Sequence, residues 1–406
     1  MPTECEIQFD QQNAVYSSGQ QINGRVTLTT TKAKSIRAIH IQVNGSGKVK
    51  WDVRKSRRVN GKTEHYNVRY SSSDTYLASR TYVSGQHSGP SFELQPGTHQ
   101  FTYAVVLPHG VPTSFVGRYG EIKYEVVVTI DRSMRFDNVF KKPFTVIRTM
   151  NLNMVPNLAI PIERETESSF CCCCCASGPI IMKLTLPFAG FASGQKIPYN
   201  LIVDNEAGSN VENVEVKFMQ RIVFLSRSPE RAQKTDEFTL HKDSLGSVLK
   251  YAKKEFNKEI QLGSLPPSND DPGEIIQISY YVKAKMRKGF FHKDECVKIP
   301  VLIGTVPLIH SARNPDNIIS MQPTAPLLSD DSMGGDKPPP YYTMVPPSYE
   351  EATANGTTFI DNEDDSIHKG EPHIPKYPVF YNYQQQSGPS TSPATVPPLN
   401  IGWNPN

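Results

Sequence analysis

The sequence is poor in the features that mark secreted and membrane-spanning proteins. Its first ten residues, MPTECEIQFD, contain neither a basic segment nor an apolar core, so they predict no secretory leader. No run of about 18 apolar residues occurs, which predicts that no helix crosses a membrane. Cysteine is scarce outside one cluster, because five of the seven cysteines are consecutive. This pattern differs from a secreted disulfide framework and favours a reducing, cytoplasmic environment.

Motifs of common catalytic sites are also missing. The ten histidines are scattered and none lies in an HExxH pattern. The GxSxG pattern of serine hydrolases and the phosphate-binding GxxxxGK[ST] pattern are absent as well. We therefore predict that the protein is not an enzyme and needs no cofactor.

The cysteine run at residues 171–175 contains a CxxC spacing. A structural zinc site needs four ligands that converge on the metal, but neighbouring residues of an extended chain point to opposite faces and no second CxxC follows. A metal site is therefore the least favoured interpretation. A buried strand at a junction between domains and S-palmitoylation both stay open. The candidates for palmitoylation are Cys171, Cys172, Cys173, Cys174 and Cys175.

Charge and proline divide the chain into two parts. Residues 306–406 contain four Lys/Arg against eleven Asp/Glu, and 17 of the 33 prolines. An acidic, Pro-rich segment without apolar runs cannot bury enough surface to offset the entropy lost on ordering, so we predict a disordered tail. The remaining 305 residues are net basic, which favours acidic or phosphorylated partners or anionic lipid.

The basic part contains an internal repeat. Residues 16–22, YSSGQQI, return as FASGQKI at residues 191–197. An alternating run at residues 122–130 returns in the same order at residues 278–286. Alternation with a period of two marks strands that have one face on a core. The repeat therefore predicts a duplicated β domain.

Short alternating runs and turn residues continue through both copies. Helix candidates are scarce, and residues 244–255 are compatible with one short helix or with a strand. The turn signals include Asn44-Gly45, Pro96-Gly97 and Pro272-Gly273. Many short strands with regular turns predict an all-β fold of two tandem, immunoglobulin-like antiparallel β-sandwiches. We place the sandwiches at residues 1–150 and 177–305, the linker at 151–176, and the disordered Pro-rich tail at 306–406.

The tail contains two Pro-Pro-x-Tyr motifs within residues 337–351, KPPPYYTMVPPSYEE. Consecutive prolines favour polyproline II, which has little conformational entropy left to lose on binding. Aromatic-lined grooves of WW domains recognise such segments. The predicted WW-binding residues are Pro339, Pro340 and Tyr342 in the first motif, and Pro346, Pro347 and Tyr349 in the second.

Several further segments carry a family resemblance. They are YSSGQ at 16–20, GSGKVKW at 45–51, LQPGTHQF at 94–101, PTSF at 112–115, GRYGEIKY at 117–124, DR at 131–132 and SGPI at 177–180. With the Pro-Pro-x-Tyr tail, the chain resembles the arrestin-domain-containing proteins, or alpha-arrestins. The resemblance implies two arrestin-like sandwiches and an adaptor that links membrane receptor or transporter cargo to NEDD-family HECT ubiquitin ligases. It also implies a cytoplasmic protein that is peripheral at the plasma membrane and endosomes.

Two rival functions stay open beside this adaptor. One is a coat-type endosomal sorting scaffold that needs no ubiquitin ligase. The other is a thioredoxin-binding redox regulator, the activity of one branch of the family. The second half departs from that branch because it has no interior cysteine before Cys296.

A cluster of basic residues within the first half has two interpretations. It is opposed only by Asp52, and it is either a solvated loop connecting two strands or a patch for phosphorylated receptor tails or an anionic membrane surface. Nucleic acid is not expected, since no recognition helix accompanies the cluster. Its members are Lys48, Lys50, Arg54, Lys55, Arg57, Arg58 and Lys62.

Shorter motifs complete the tail. Residues 323–326 match the P-[ST]-A-P ligand of the ESCRT-I complex, which makes Pro323, Thr324, Ala325 and Pro326 candidate contacts. YTMV at residues 342–345 and YPVF at 377–380 fit the loose tyrosine-x-x-apolar signal of clathrin adaptors. Such short patterns also arise by chance.

Overall fold

A computed structural model describes residues 3–132, 135–172, 175–289, 294–309, 358–360 and 374–379, and omits the side chains of residues 170–177 and 358–360. The described residues form β-strands and one short 3-10 helix, Leu152–Met154. None of the described helices is long and apolar enough to cross a membrane.

Two facing sheets form the first sandwich. One sheet has the strand order β20-β1-β3-β7, and the other has the order β2-β10-β9-β4-β5, with β6 beside β4 and β8 beside β9. The strands are β1 (Thr3–Phe9), β2 (Val15–Ser17), β3 (Gln21–Thr30), β4 (Lys34–Val59), β5 (Lys62–Gly85), β6 (Phe92–Leu94), β7 (Gly97–Val106), β8 (Phe115–Gly117), β9 (Gly120–Arg132), β10 (Asn138–Ile147) and, from the tail, β20 (Thr358–Ile360).

The second sandwich repeats this plan. Its sheets have the orders β11-β12-β14-β17 and β13-β19-β18-β15-β16. The strands are β11 (Ile162–Cys172), β12 (Cys175–Leu186), β13 (Gly190–Ala192), β14 (Lys196–Asn205), β15 (Val211–Ser226), β16 (Ala232–Val248), β17 (Ala252–Gln261), β18 (Ile276–Arg287) and β19 (Glu295–Gly304). The tail strand β20 occupies the edge that β11 occupies in the second sandwich.

The sequence repeat corresponds to a repeated local structure. The short strands β2 and β13 each run parallel to the last strand of their sandwich, β10 and β19. After each, a glutamine side chain closes the turn: Gln20 Oε1 accepts from the Ser17 N–H at 2.9 Å, and Gln195 Oε1 accepts from the Ala192 N–H at 2.8 Å. The same residues therefore build the same strand-turn-strand unit twice, which confirms the predicted duplication.

The predicted alternation of β9 and β18 is confirmed. Tyr124 and Val126 are fully buried, as are Val282 and Ala284 of the second copy. Each copy also has a buried tyrosine that donates to a proline carbonyl. Tyr124 bonds to Pro112 O at 2.7 Å and Tyr280 to Pro266 O at 2.8 Å. Fixing a buried hydroxyl in this way avoids the cost of an unpaired polar group.

One predicted turn is wrong. Asn44-Gly45 lies within β4 rather than between two strands. A Cβ atom at Gly45 would overlap the ring of Tyr124, so glycine is needed there for the close approach of that ring. The turns at Pro96-Gly97 and Pro272-Gly273 are confirmed. Pro96 lies between β6 and β7, which begins at Gly97, and Pro272-Gly273 precedes β18.

Two segments whose secondary structure the sequence left open contain strand residues. Residues 244–255 contain the end of β16 and the start of β17, which settles the choice between helix and strand in favour of strand. Of the cysteine run, Cys171 and Cys172 end β11 and Cys175 begins β12, and the backbone of Cys172 lies opposite that of Cys175. Cys173 and Cys174 lie outside the described residues, and the side chains of the run are not described, so burial and palmitoylation both stay predictions.

Two short pieces of the tail are ordered against the body. β20 adds an antiparallel strand to β1, with Phe359 opposite Cys5. Residues 374–379 lie beside both sandwiches, where Pro375 is buried and Tyr377 is partly buried. In these two pieces, backbone pairing of β20 and side-chain burial of Pro375 offset the entropy lost on ordering.

The two sandwiches pack directly on each other. Tyr119, next to β9, meets Phe224 of β15 edge-on, with ring centroids 5.6 Å apart. A Cβ atom at Gly120 would lie 3.2 Å from Ile276 Cδ1 of β18, so a side chain at this position would crowd the junction. The buried apolar residues form one continuous cluster through both sandwiches. The junction is therefore a continuation of the core.

The two buried tyrosines differ in one respect that can be measured. Tyr280 also accepts a hydrogen bond from Gln220 Nε2 at 2.9 Å. We expect Tyr124→Phe to lower the free energy of unfolding by about 1–3 kcal/mol, because it leaves one buried acceptor unpaired. Tyr280→Phe also leaves a buried donor, Gln220 Nε2, without its partner, and it should lower the free energy of unfolding by about twice as much.

Urea denaturation of the full chain measures both effects. Tyr251→Phe is the matched control, since Tyr251 is 73% exposed. A larger loss for Tyr124→Phe than for Tyr280→Phe would contradict the assignment of these bonds.

Candidate functional site

The predicted basic cluster lies on a two-stranded ribbon. β9 pairs with β4 only as far as Val49, and beyond that point β4 pairs with β5 alone. The ribbon closes through Asn60 and Gly61, both with positive φ, as a two-residue type I′ hairpin turn requires. The cluster therefore lies on two strands rather than in a loop between them, and the choice between a solvated surface and a binding patch stays a prediction. The apolar residues Val49, Trp51 and Val53 keep the alternation of the strand going through the basic residues.

The cluster is divided between the two faces of this ribbon. Directly opposite residues of an antiparallel pair share a face. Arg54 lies opposite Asn67, and Arg58 lies opposite Thr63. Four exposed cations define what we call the outer face: Lys48, Lys50, Arg54 and Arg58. The other three, Lys55, Arg57 and Lys62, fall on the inner face.

The outer face carries uncompensated positive charge. It has two acids: Asp52 is 3.0 Å from Arg69 of β5, which lies directly opposite, and Glu121 of β9 lies directly opposite Lys48. The guanidinium of Arg69 holds the pKa of Asp52 below its usual value. Within the described part of the chain, Arg54 and Arg58 have no ion-pair partner. The outer face is thus suited to phosphate or carboxylate groups, which Arg can bind in a bidentate manner.

Two of the three cations of the inner face, Lys55 and Arg57, are paired with carboxylates of the protein. Trp51 and Tyr70 stack with centroids 5.6 Å apart, and Tyr70 donates to Glu230 of the second sandwich at 2.7 Å. Lys55 lies 3.3 Å from the same carboxylate, while Arg57 pairs with Glu64 at 3.0 Å. The Tyr70 hydroxyl and the Lys55 ammonium hold the pKa of Glu230 below its usual value. This face anchors the ribbon rather than offering charge to a partner.

A second polar cluster fixes the ribbon at its base. Arg148, which follows β10, lies 3.7 Å from both Asp271 and Glu274 of the second sandwich. Tyr76 of β5 donates to Glu274 at 3.2 Å. Burial raises the pKa of Glu274, and the hydroxyl and the cation oppose that rise. The second sandwich thus fixes the orientation of the ribbon in two places.

Sequence reasoning missed these anchoring residues. Glu230 is 175 positions from Lys55 and Glu274 is 198 from Tyr76, and neither lies in a motif. The division of the cluster into two faces, in contrast, could have been found from the alternation of Val49, Trp51 and Val53. Asn60-Gly61 lies between two strand-like runs, and this pattern predicts a hairpin.

Other predicted sites can be placed only in part. The two Pro-Pro-x-Tyr motifs and the P-[ST]-A-P motif lie outside the described residues. No group of three or more His, Cys, Asp or Glu that could hold a metal occurs in the described parts of the chain. Cys5 is buried, which raises the pKa of its thiol, whereas Cys296 is exposed.

Comparisons with known proteins match both halves of the chain. The family model of the arrestin (or S-antigen) N-terminal domain matches residues 5–153, and that of the arrestin (or S-antigen) C-terminal domain matches residues 176–308. The two matches coincide with the two sandwiches.

Individual relatives share about a quarter of the aligned residues with this chain. The rat (Rattus norvegicus) protein "Arrestin domain-containing protein 1" is 24% identical over 358 residues, covering 88% of this chain and 74% of the relative. "Arrestin domain-containing protein 17" of Caenorhabditis elegans is 26% identical over 322 residues, covering 76% and 73%. Human (Homo sapiens) "Arrestin domain-containing protein 4" is 27% identical over 198 residues, covering 48% and 47%.

The two faces of the ribbon predict different effects of removing charge. We expect Lys50→Gln/Arg54→Gln/Arg58→Gln to weaken binding to phosphatidylserine vesicles about 100-fold at low salt, since each basic residue near an anionic surface contributes about 1 kcal/mol. The difference should shrink as salt rises, because exposed charges are screened.

The inner face provides the matched control. Lys55→Gln/Arg57→Gln/Lys62→Gln removes the same number of charges but should weaken binding less than about tenfold, because Lys55 and Arg57 already face carboxylates. Vesicle flotation measures both variants. Equal losses would show that net charge, and not the outer face, governs binding.

Proposed function

The chain is a member of the arrestin family and an arrestin-like adaptor, and from this premise we propose that its tail recruits HECT-type ubiquitin ligases with WW domains to membrane cargo. Ubiquitination of the cargo then promotes endocytosis, endosomal sorting and transport. The observation that carries the proposal is the pair of Pro-Pro-x-Tyr motifs downstream of an arrestin body.

The mechanism is proximity. The adaptor performs no chemistry itself, and holding the ligase beside the cargo raises the effective concentration of cargo lysines. The body would bind the cargo, and the outer face of the ribbon supplies cations for an acidic or phosphorylated cytoplasmic segment or for the anionic membrane around it.

The tail strand β20 supports this arrangement. Thr358 pairs with Glu6 at the edge of the first sandwich. Only eight residues lie between Tyr349 and Thr358, and the nine peptide steps that join the two span at most about 30 Å. A WW domain bound at the second motif is therefore held close to the body while β20 is paired.

Substitution of the motif tyrosines tests the proposal. We expect Tyr342→Ala/Tyr349→Ala to abolish binding of a tandem pair of WW domains to the full chain, as measured by calorimetry. A single motif should bind with a Kd of about 1–100 μM. Tyr341→Ala is the matched control, because Tyr341 is the variable position of the first motif and should be neutral.

The single variants distinguish two ways of binding. Residues 343–345 separate the motif cores and span about 10 Å in polyproline II. If one WW domain binds at a time, each single variant should cost about twofold. Simultaneous engagement of both motifs adds avidity, and each single variant should then cost about tenfold or more.

Unchanged affinity in the double variant would overturn the ligase mechanism. If cargo sorting in cells also survived, a coat-type scaffold would account better for the protein. The P-[ST]-A-P residues 323–326 would add ESCRT-I as a second tail partner, which Pro323→Ala/Pro326→Ala tests by loss of co-purification.

A further inference from the structure

Residues 374–379 of the tail, IPKYPV, contact both sandwiches. The Lys376 N–H donates to Thr145 Oγ1 of the first sandwich at 3.2 Å. The Tyr377 hydroxyl donates to the carbonyl oxygen of Ser114, also in the first sandwich, at 3.0 Å. Ser264 Oγ of the second sandwich donates to the Tyr377 carbonyl at 2.9 Å. One tyrosine therefore bridges the two domains within a groove that we define by Ser114, Thr145 and Ser264.

Ser114 contacts Tyr377 through its carbonyl oxygen, because its N–H and its hydroxyl are already hydrogen-bonded to Val146. Its N–H donates to Val146 O at 2.8 Å, and its Oγ accepts from the Val146 N–H at 2.9 Å. Ser114 is 1% exposed, and this pair of bonds holds it rigidly against β10. The group that meets the phenol is thus a fixed acceptor, which requires a donor opposite it.

A neutral phenol meets this requirement and a phosphate ester does not. The Tyr377 oxygen carries the proton that bonds to Ser114, and burial raises its pKa so that the proton is kept. A phosphorylated oxygen has no such proton and would bring about two negative charges and several acceptor atoms against a carbonyl dipole. Burying that charge without a partner is strongly unfavourable.

The prolines around Tyr377 favour this binding mode. Pro375 and Pro378 restrict the backbone to extended conformations before the segment docks. They also leave few N–H groups in the segment, and that of Lys376 is bonded to Thr145. Little conformational entropy is lost and no ladder of backbone bonds is needed. The affinity of the segment therefore depends on the tyrosine and the buried Pro375.

We propose that the groove formed by Ser114, Thr145 and Ser264 is a binding site for the unphosphorylated tyrosine of the chain's own tail, and that phosphorylation of Tyr377 releases residues 374–379. A tyrosine kinase supplies the phosphoryl group from ATP. The phenol oxygen forms a bond to the γ-phosphorus as the bond from that phosphorus to ADP breaks, and the phenol proton passes to solvent. The kinase acts on the undocked fraction, and the product cannot dock again.

Amide hydrogen exchange of the full chain tests this proposal. The readout is the Lys376 amide, compared between the chain and a synthetic peptide of residues 371–383. We expect protection in the wild-type chain. Phosphotyrosine placed at position 377 by genetic-code expansion should return the amide to the exchange rate of the peptide. Phosphotyrosine at 383, a tail tyrosine six residues away, is the control and should leave protection unchanged.

Two substitutions test the contacts without adding charge. Tyr377→Phe removes the hydroxyl that meets Ser114, and Ser264→Ala removes the donor from the second sandwich. Each should speed exchange at Lys376 by about 2- to 10-fold, the effect of one hydrogen bond. Exchange in the β9 and β18 strands reports that both sandwiches stay folded.

Two results would overturn the proposal. A Lys376 amide that exchanges in the wild-type chain as fast as in the peptide would show that the groove does not hold the segment. Full protection in the chain phosphorylated at 377 would show that the groove does not select the neutral tyrosine. Neither result bears on WW binding, which depends on Tyr342 and Tyr349.

Discussion

The packing of Tyr119 and Gly120 against Phe224 and Ile276 joins the two sandwiches into one continuous core. Two candidate binding surfaces, the basic ribbon and the tail groove, depend on that junction. The ribbon reaches Glu230 only because the second sandwich lies beside it, and the tail groove takes Ser114 from one sandwich and Ser264 from the other. Because close-packed interfaces adopt discrete arrangements, a change in the angle between the sandwiches would alter both surfaces together.

Duplication accounts for most of the architecture, and its exceptions mark the candidate functional surfaces. Each sandwich has a buried tyrosine bonded to a proline carbonyl and a glutamine that closes the first turn. The symmetry breaks where β4 and β5 extend beyond β9 into the basic ribbon. It also breaks where the tail strand β20, rather than a strand of the body, completes the first sheet. Elements that the duplicated core does not require are free to carry binding functions.

Electrostatics divides the ribbon into a face that anchors and a face that is available. Lys55 and Arg57 meet carboxylates, so their charges are already compensated within the protein. Arg54 and Arg58 point away from those acids, and partner groups of opposite charge would gain most there. The tail groove has the opposite preference. Its carbonyl acceptor at Ser114 favours a neutral hydrogen-bond donor and disfavours phosphate.

The fold class followed from the sequence because strand periodicity is local: the alternation around Val126 and Val282 is visible without knowing what covers those residues. The Pro-Pro-x-Tyr motifs were equally visible, since a linear ligand needs no fold to present it. The partners of Lys55 and Tyr76, the two faces of the basic cluster and the docking of Tyr377 could not be derived in full. Each depends on residues that lie far apart in the chain and meet only when the two sandwiches pack. Local pattern therefore determined which strands form, whereas the long-range packing of the two cores decided which charges are compensated and where the tail binds.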